Sequence, residues 1–69
     1  MEYYIVVEVQ MTSGAPSVLT TTYTAENQAW NKYYSVLAYA AMSDVPYHGA
    51  YIIGGTETAE VFESKFFEH

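Results

Sequence analysis

From Glu2 to Met11 the chain alternates, and the odd positions Tyr3, Ile5, Val7, Val9 and Met11 are all apolar. Successive side chains of a β-strand point to opposite faces, so this period of two predicts a strand with one buried face. The even face, Glu2, Tyr4, Val6, Glu8 and Gln10, mixes apolar with polar residues and reads as only partly wet. Thr12 to Pro16 is turn chemistry, because Gly14 tolerates positive φ and Pro16 cannot donate to a ladder. A second strand, rich in Thr and Val, is expected from about Ser17 to Tyr23, completing a hairpin.

After Tyr23 the period changes. Thr24 suits an N-cap and Glu26 falls in the first turn, where a carboxylate meets the positive end of the helix dipole. The spacing predicts a helix from Ala25 to Met42. At 100° per residue its apolar members, from Ala29 and Tyr33 through Val36, Leu37 and Ala40, fill an arc of roughly 160° that also takes in Trp30, Tyr34 and Ala41. Asn27, Gln28, Asn31, Lys32 and Ser35 occupy the remainder. That stripe is wider than one sheet face needs, and Trp30 and Tyr34 on its flank are available for a second contact. Ser43 to Pro46 ends the helix, since the residue before Pro is pushed out of the α region.

Tyr47 to Ile53 reads as a third strand and Gly54-Gly55 as a turn. Glu57 to Phe67 reads as a fourth strand, with a short helix starting near Ala59 as the alternative. The expectation is a single α+β domain spanning residues 1–69. Its order is ββαββ, an antiparallel sheet with the first and third strands central and one amphipathic helix packed on one face. With Tyr3, Ile5, Val7 and Val9 turned to that helix, Tyr4, Val6, Tyr51 and Ile53 face away from it, and nothing remains in the chain to cover them.

Composition sharpens that last point. The chain has 69 residues and no Cys, yet 51% of its residues are hydrophobic and eight are Tyr. A domain this short hides a small share of its surface, and without disulfides the remaining support is a partner chain. A homo-oligomer is therefore expected, with Tyr4, Val6, Tyr51 and Ile53 as the interface. The formal net charge of -6 disfavours nucleic-acid phosphates and anionic membranes as partners. No run approaches the ~18 to 20 apolar residues of a membrane span, and the opening Met1-Glu2-Tyr3 shows no basic region ahead of an apolar stretch, so a cytoplasmic location is expected.

Candidate chemistry is sparse. His48 is the one interior base that titrates near neutrality, and neither a nucleophile nor an oxyanion arrangement accompanies it in sequence. With no Cys and no His pair one turn apart there is no zinc spacing, and Glu57, Glu60 and Glu63 lack the glycine turn and carbonyls of a hard-cation loop. Gly54-Gly55-Thr56 lacks the Lys and the spacing of a phosphate loop. No metal and no cofactor are expected, and an enzyme is not. The ligand-binding reading places His48 beside Tyr47, with Trp30 and Tyr34 brought up by the oligomer. A nucleotide-like small molecule suits such a site, because aromatic walls and a few polar groups suffice to hold it. His69, at the end of the chain, is assigned no role.

The segment Tyr3-Tyr4-Ile5-Val6-Val7-Glu8-Val9-Gln10, the helix core Ala29 with Lys32-Tyr33-Tyr34-Ser35 and Leu37-Ala38-Tyr39-Ala40-Ala41, and Ser43 with Tyr47-His48 resemble a group of short phage and prophage reading frames from Gram-positive gut bacteria. The resemblance spans most of the chain and consists of core-residue patterns. It implies a viral context and a ββαββ fold, and it transfers no active site. The resulting expectation is a non-enzymatic, homo-oligomeric phage-type binding protein in the host bacterial cytoplasm, antagonising host defence by sequestering a nucleotide signal or blocking a host protein. The alternative is a structural accessory of virion assembly.

Overall fold

Alternation and turn chemistry produce the strands expected of them. The computed structural model describes residues 3–12, 14–55 and 59–69. Its elements are β1 (Tyr4–Thr12), β2 (Ala15–Tyr23), α1 (Glu26–Met42), β3 (Tyr47–Gly54) and β4 (Glu60–Glu68). They form one antiparallel sheet in the order β2-β1-β3-β4, an α+β fold with β1 and β3 central. Glu2, placed at the start of the first strand by its pattern, lies outside the described residues.

The β1–β2 register runs from Tyr4 opposite Tyr23 to Thr12 opposite Ala15. Gly14 has φ of 96°, the left-handed region that costs glycine nothing, and the Thr12 hydroxyl donates to the Ala15 carbonyl at 2.9 Å. Pro16 lies within β2 rather than ahead of it, opposite Met11. β2 is an edge strand, where the missing N–H is tolerated. The last segment is a strand and not a helix, starting at Glu60 rather than Glu57, which lies outside the described residues. Between Ile52 and Ile53 its register slips, so Ile52 meets Glu63 while Ile53 meets Val61, leaving Phe62 as the extra residue of a β-bulge. The bulge turns the Phe62 ring over Gly54, where a Cβ would collide with it.

The helix begins one residue later than expected. Ala25, not Thr24, is the N-cap, and no side chain caps it. Glu26 is in the first turn and accepts a hydrogen bond from Trp30 Nε1 at 3.1 Å, a pairing one turn apart. At the other end Ser43 leaves the helical region and its N–H donates to Ala40 O at 3.2 Å.

Ala29, Tyr33, Val36 and Ala40, spaced by four, three and four residues, are the buried face of α1. They pack on Val6 of β1 and on Ala50 and Ile52 of β3. The helix thus lies on the even face of β1, the reverse of the expectation. The physical reason is room: Ala50 on β3 and Ala29 and Ala40 on α1 let helix and sheet approach closely, whereas the odd face of β3 carries Tyr47, Tyr51 and Ile53. Tyr4 and Val6 therefore belong to the helix side, and Val6 is fully buried in the core. Tyr51 and Ile53, opposite Val7 and Ile5, are on the far side. The four residues expected to form one interface are divided between two faces.

Tyr33 is the largest buried side chain. Its hydroxyl has no hydrogen-bond partner of good geometry among the described residues. Burial first, and then the charge of nearby Glu63, push its pKa up to about 12 from 10.0. The neutral phenol is favoured in the folded chain, so its contribution is complete below pH 10 and is lost as pH rises toward 12. Tyr33→Phe should keep neutral-pH stability within about 1 kcal/mol, because the buried hydroxyl it removes has at best a poorly aligned hydrogen bond with Glu63. It should also flatten the alkaline loss. Urea unfolding at neutral pH and near pH 11 checks both; an equally steep alkaline loss in the variant would reject the assignment to Tyr33.

Candidate functional site

Antiparallel pairing of β1 with β3 sets Gln10 opposite His48 and Glu8 opposite Ala50, and all four point toward the helix. His48 is 0% exposed, and its Nε2 lies 2.8 Å from Glu8 Oε2, whose side chain is 13% exposed. A carboxylate only accepts, so Nε2 donates; Gln10 Nε2 donates to the same oxygen at 3.1 Å. Two donors offset much of the cost of drawing a carboxylate out of water. His48 Nδ1 is buried with no partner among the described residues. From the helix Tyr39 meets the imidazole edge to face, with ring centroids 5.4 Å apart.

Above this pair opens a cleft of about 310 Å³ lined by Glu8, Gln10, Lys32, Ser35, Val36 and Tyr39. Lys32, Ser35, Val36 and Tyr39 share one side of α1, being three, four and seven residues apart along it. The Ser35 hydroxyl donates to Asn31 O at 2.9 Å, back into its own helix, and so is not presented to His48. The cleft offers one cation, one carboxylate, an amide and an aromatic ring. That set can hold a small polar molecule carrying an anionic group for Lys32 and a hydrogen-bond donor for Glu8.

Within one chain the expected binding set of His48, Tyr47, Trp30 and Tyr34 is not brought together. His48 is a core residue that reaches the cleft only through Glu8 and Tyr39. Tyr47, its neighbour on β3, points to the opposite face and stacks on Phe66 at 5.2 Å. Adjacent strand residues cannot share a face. Trp30 stacks on Tyr34 at 5.7 Å and on Phe62 at 6.1 Å, in a cluster with Tyr4 at the other end of the sheet. Glu8, Gln10, Lys32, Ser35 and Tyr39 were missed. The usable signal was the polar pair Glu8 and Gln10 on a face that also carries Val6, but it becomes informative only once that face is known to meet the helix.

His69 has a structural role that sequence did not suggest. Its Nε2 lies 2.9 Å from Ala40 O, one of the carbonyls a helix end leaves without an intrahelical donor, and its N–H donates to Pro46 O at 2.8 Å. The end of β4 is thereby tied to the C-terminus of α1. Among the described residues no group of three His, Cys, Asp or Glu is placed to hold a metal ion. No helix among them is long and apolar enough to cross a membrane. Comparison with protein-family models, curated proteins and solved structures gives no match.

Proposed function

We propose that the protein is a non-enzymatic, homo-oligomeric binding protein that takes a small nucleotide-like molecule in the cleft between β1 and α1. The observation that carries this reading is the cleft itself, in which Lys32, Tyr39 and Gln10 surround a Glu8 carboxylate fixed from behind by His48. Lys32 supplies the charge for a phosphate, the Tyr39 ring a stacking surface, and Glu8 with Gln10 the hydrogen bonds that orient sugar or base. His48 serves as the anchor of Glu8 and not as a base, since its Nε2 is committed and its ring is buried. Coupled with the resemblance to phage reading frames, this fits a protein of the infected bacterial cytoplasm that sequesters a nucleotide signal of host defence. Occupying a host protein is the other form of the same role.

The test is native mass spectrometry of protein purified from bacteria, followed by calorimetry with a panel of cyclic and linear mono- and dinucleotides. At least one should bind, and Lys32→Ala should weaken it by about 10-fold or more, the loss of one charge-assisted contact. Lys32 is partly exposed, so the variant should stay folded. Absence of binding across the panel would reject the nucleotide reading, and turnover of any bound member would reject the non-enzymatic one. A second reading, a structural accessory of virion assembly, is favoured by the sheet face that no described element covers; it predicts large open assemblies in place of a small closed one.

A further inference from the structure

We infer that the uncovered face of the sheet is where a second copy of this chain packs, sheet against sheet about a two-fold axis. This names the surface for the association proposed above and rests on that reading. At the centre Val7 stands opposite Tyr51 and is already shielded by its neighbours; around it Ile5, Val9, Tyr51 and Ile53 are half-buried, and toward the edges Val18 and Val61 are more than half exposed. The register adds Val18 of β2 beside Val9, and Phe66 of β4 closes over Gly49. A face of this kind left in water is unusual for a soluble chain.

Charge selects the partner. The protein carries a net charge of -6, so two copies repel each other over most approaches. Glu8, Glu60, Glu63 and Lys65 belong to the helix side, being paired with Ala50, Gly54 and Ile52 or aligned with them. Among the described residues the open face carries one charge, Glu68, opposite Tyr47 at a corner of the sheet. That corner is off either two-fold axis through the sheet centre, along or across the strands, so the two carboxylates do not meet. This is the face on which two acidic chains can touch without stacking like charges.

Area agrees. Four strands at ~4.8 Å spacing and nine residues at ~3.3 Å each cover roughly 19 by 30 Å, or about 570 Å² per copy before side-chain relief is counted. Two such faces exceed the ~1,000 Å² that a specific interface needs. A partner must also be flat, uncharged and twisted to match, and a second copy meets all three conditions, as in the aligned packing of β-sandwiches.

Two methionines allow the wild-type chain to report on this directly. Met11 is 45% exposed on the open face, and Met42 is 81% exposed at the end of the helix. At high concentration sedimentation should give twice 7.8 kDa, with peroxide oxidising Met42 and sparing Met11; on dilution the mass should fall and Met11 should react. Tyr51→Glu, a charge at the centre of the face, should weaken association roughly 100-fold or more while far-ultraviolet circular dichroism stays native. Met42→Glu should change nothing. A 7.8 kDa monomer at every concentration, with both methionines reacting, overturns the proposal and leaves the face to a different protein or a bilayer. A dimer that persists in folded Tyr51→Glu, or that shields Met42 and not Met11, overturns this choice of surface while leaving the oligomer reading intact.

Discussion

His48→Ala is expected to destabilise the protein by about 3 to 5 kcal/mol, the cost of emptying a buried ring site and of removing a donor from a half-buried carboxylate. Two losses add. The imidazole, wholly buried, leaves a cavity beside Tyr39, and the Glu8 carboxylate keeps only the Gln10 amide as donor. A 69-residue domain has a total stability of roughly 3 to 10 kcal/mol, so most of the population should unfold under conditions in which the wild type is folded. Glu8→Gln added to His48→Ala should recover part of the loss, because an amide is less costly than a carboxylate to leave half-paired. Urea unfolding of the three proteins measures this. A His48→Ala chain within about 1 kcal/mol of wild type would mean that the pair is not buried as described.

Gly49→Ala should be nearly as damaging, at about 3 kcal/mol or more. A Cβ at Gly49 would meet the Lys65 carbonyl oxygen and the Phe66 side chain, and would stand 2.6 Å from Phe66 Cα. Carbonyl and Cα belong to the backbone of β4, which cannot yield without opening its ladder with β3. Gly54→Ala is the informative contrast. There the added carbon meets the far edge of the Phe62 ring and comes within 3.1 Å of Tyr4 Cδ1, both side-chain atoms that can shift. Its cost should be about 1 to 2 kcal/mol, partly offset by the entropy that Ala gives up less of on folding. Denaturation midpoints in the order wild type, Gly54→Ala, Gly49→Ala are expected. Equal costs would show that β4 is free to move away from Gly49.

The sheet edge illustrates how far local pattern reaches. For residues 60–68 the sequence supports either a strand or the start of a helix, since Ala59 to Glu63 has helix formers and Phe66-Phe67 does not decide. Pairing with β3 decides it, and the bulge at Phe62 follows from the same pairing, because it allows one ring to fill the space over Gly54. Neither is a property of the segment alone. The Glu8–His48 pair is the same case at longer range, since its members are forty residues apart and only the β1–β3 register sets them on one face.

What the sequence by itself determined is whatever depends on neighbours along the chain: the order of the first four elements, the hairpin at Gly14, the helix ended by Ser43 to Pro46, and the net charge of -6. Periodicity also established that β1 has an odd and an even face. It could not say which one the helix covers, because a period of two is satisfied equally by either choice and the odd side has the more apolar residues. The tertiary structure decided that by fit, with Ala29, Ala40 and Ala50 making room for the helix on the even side. From that single choice follow the burial of Val6 and His48, the cleft above Glu8, and the open apolar face around Val7 and Tyr51.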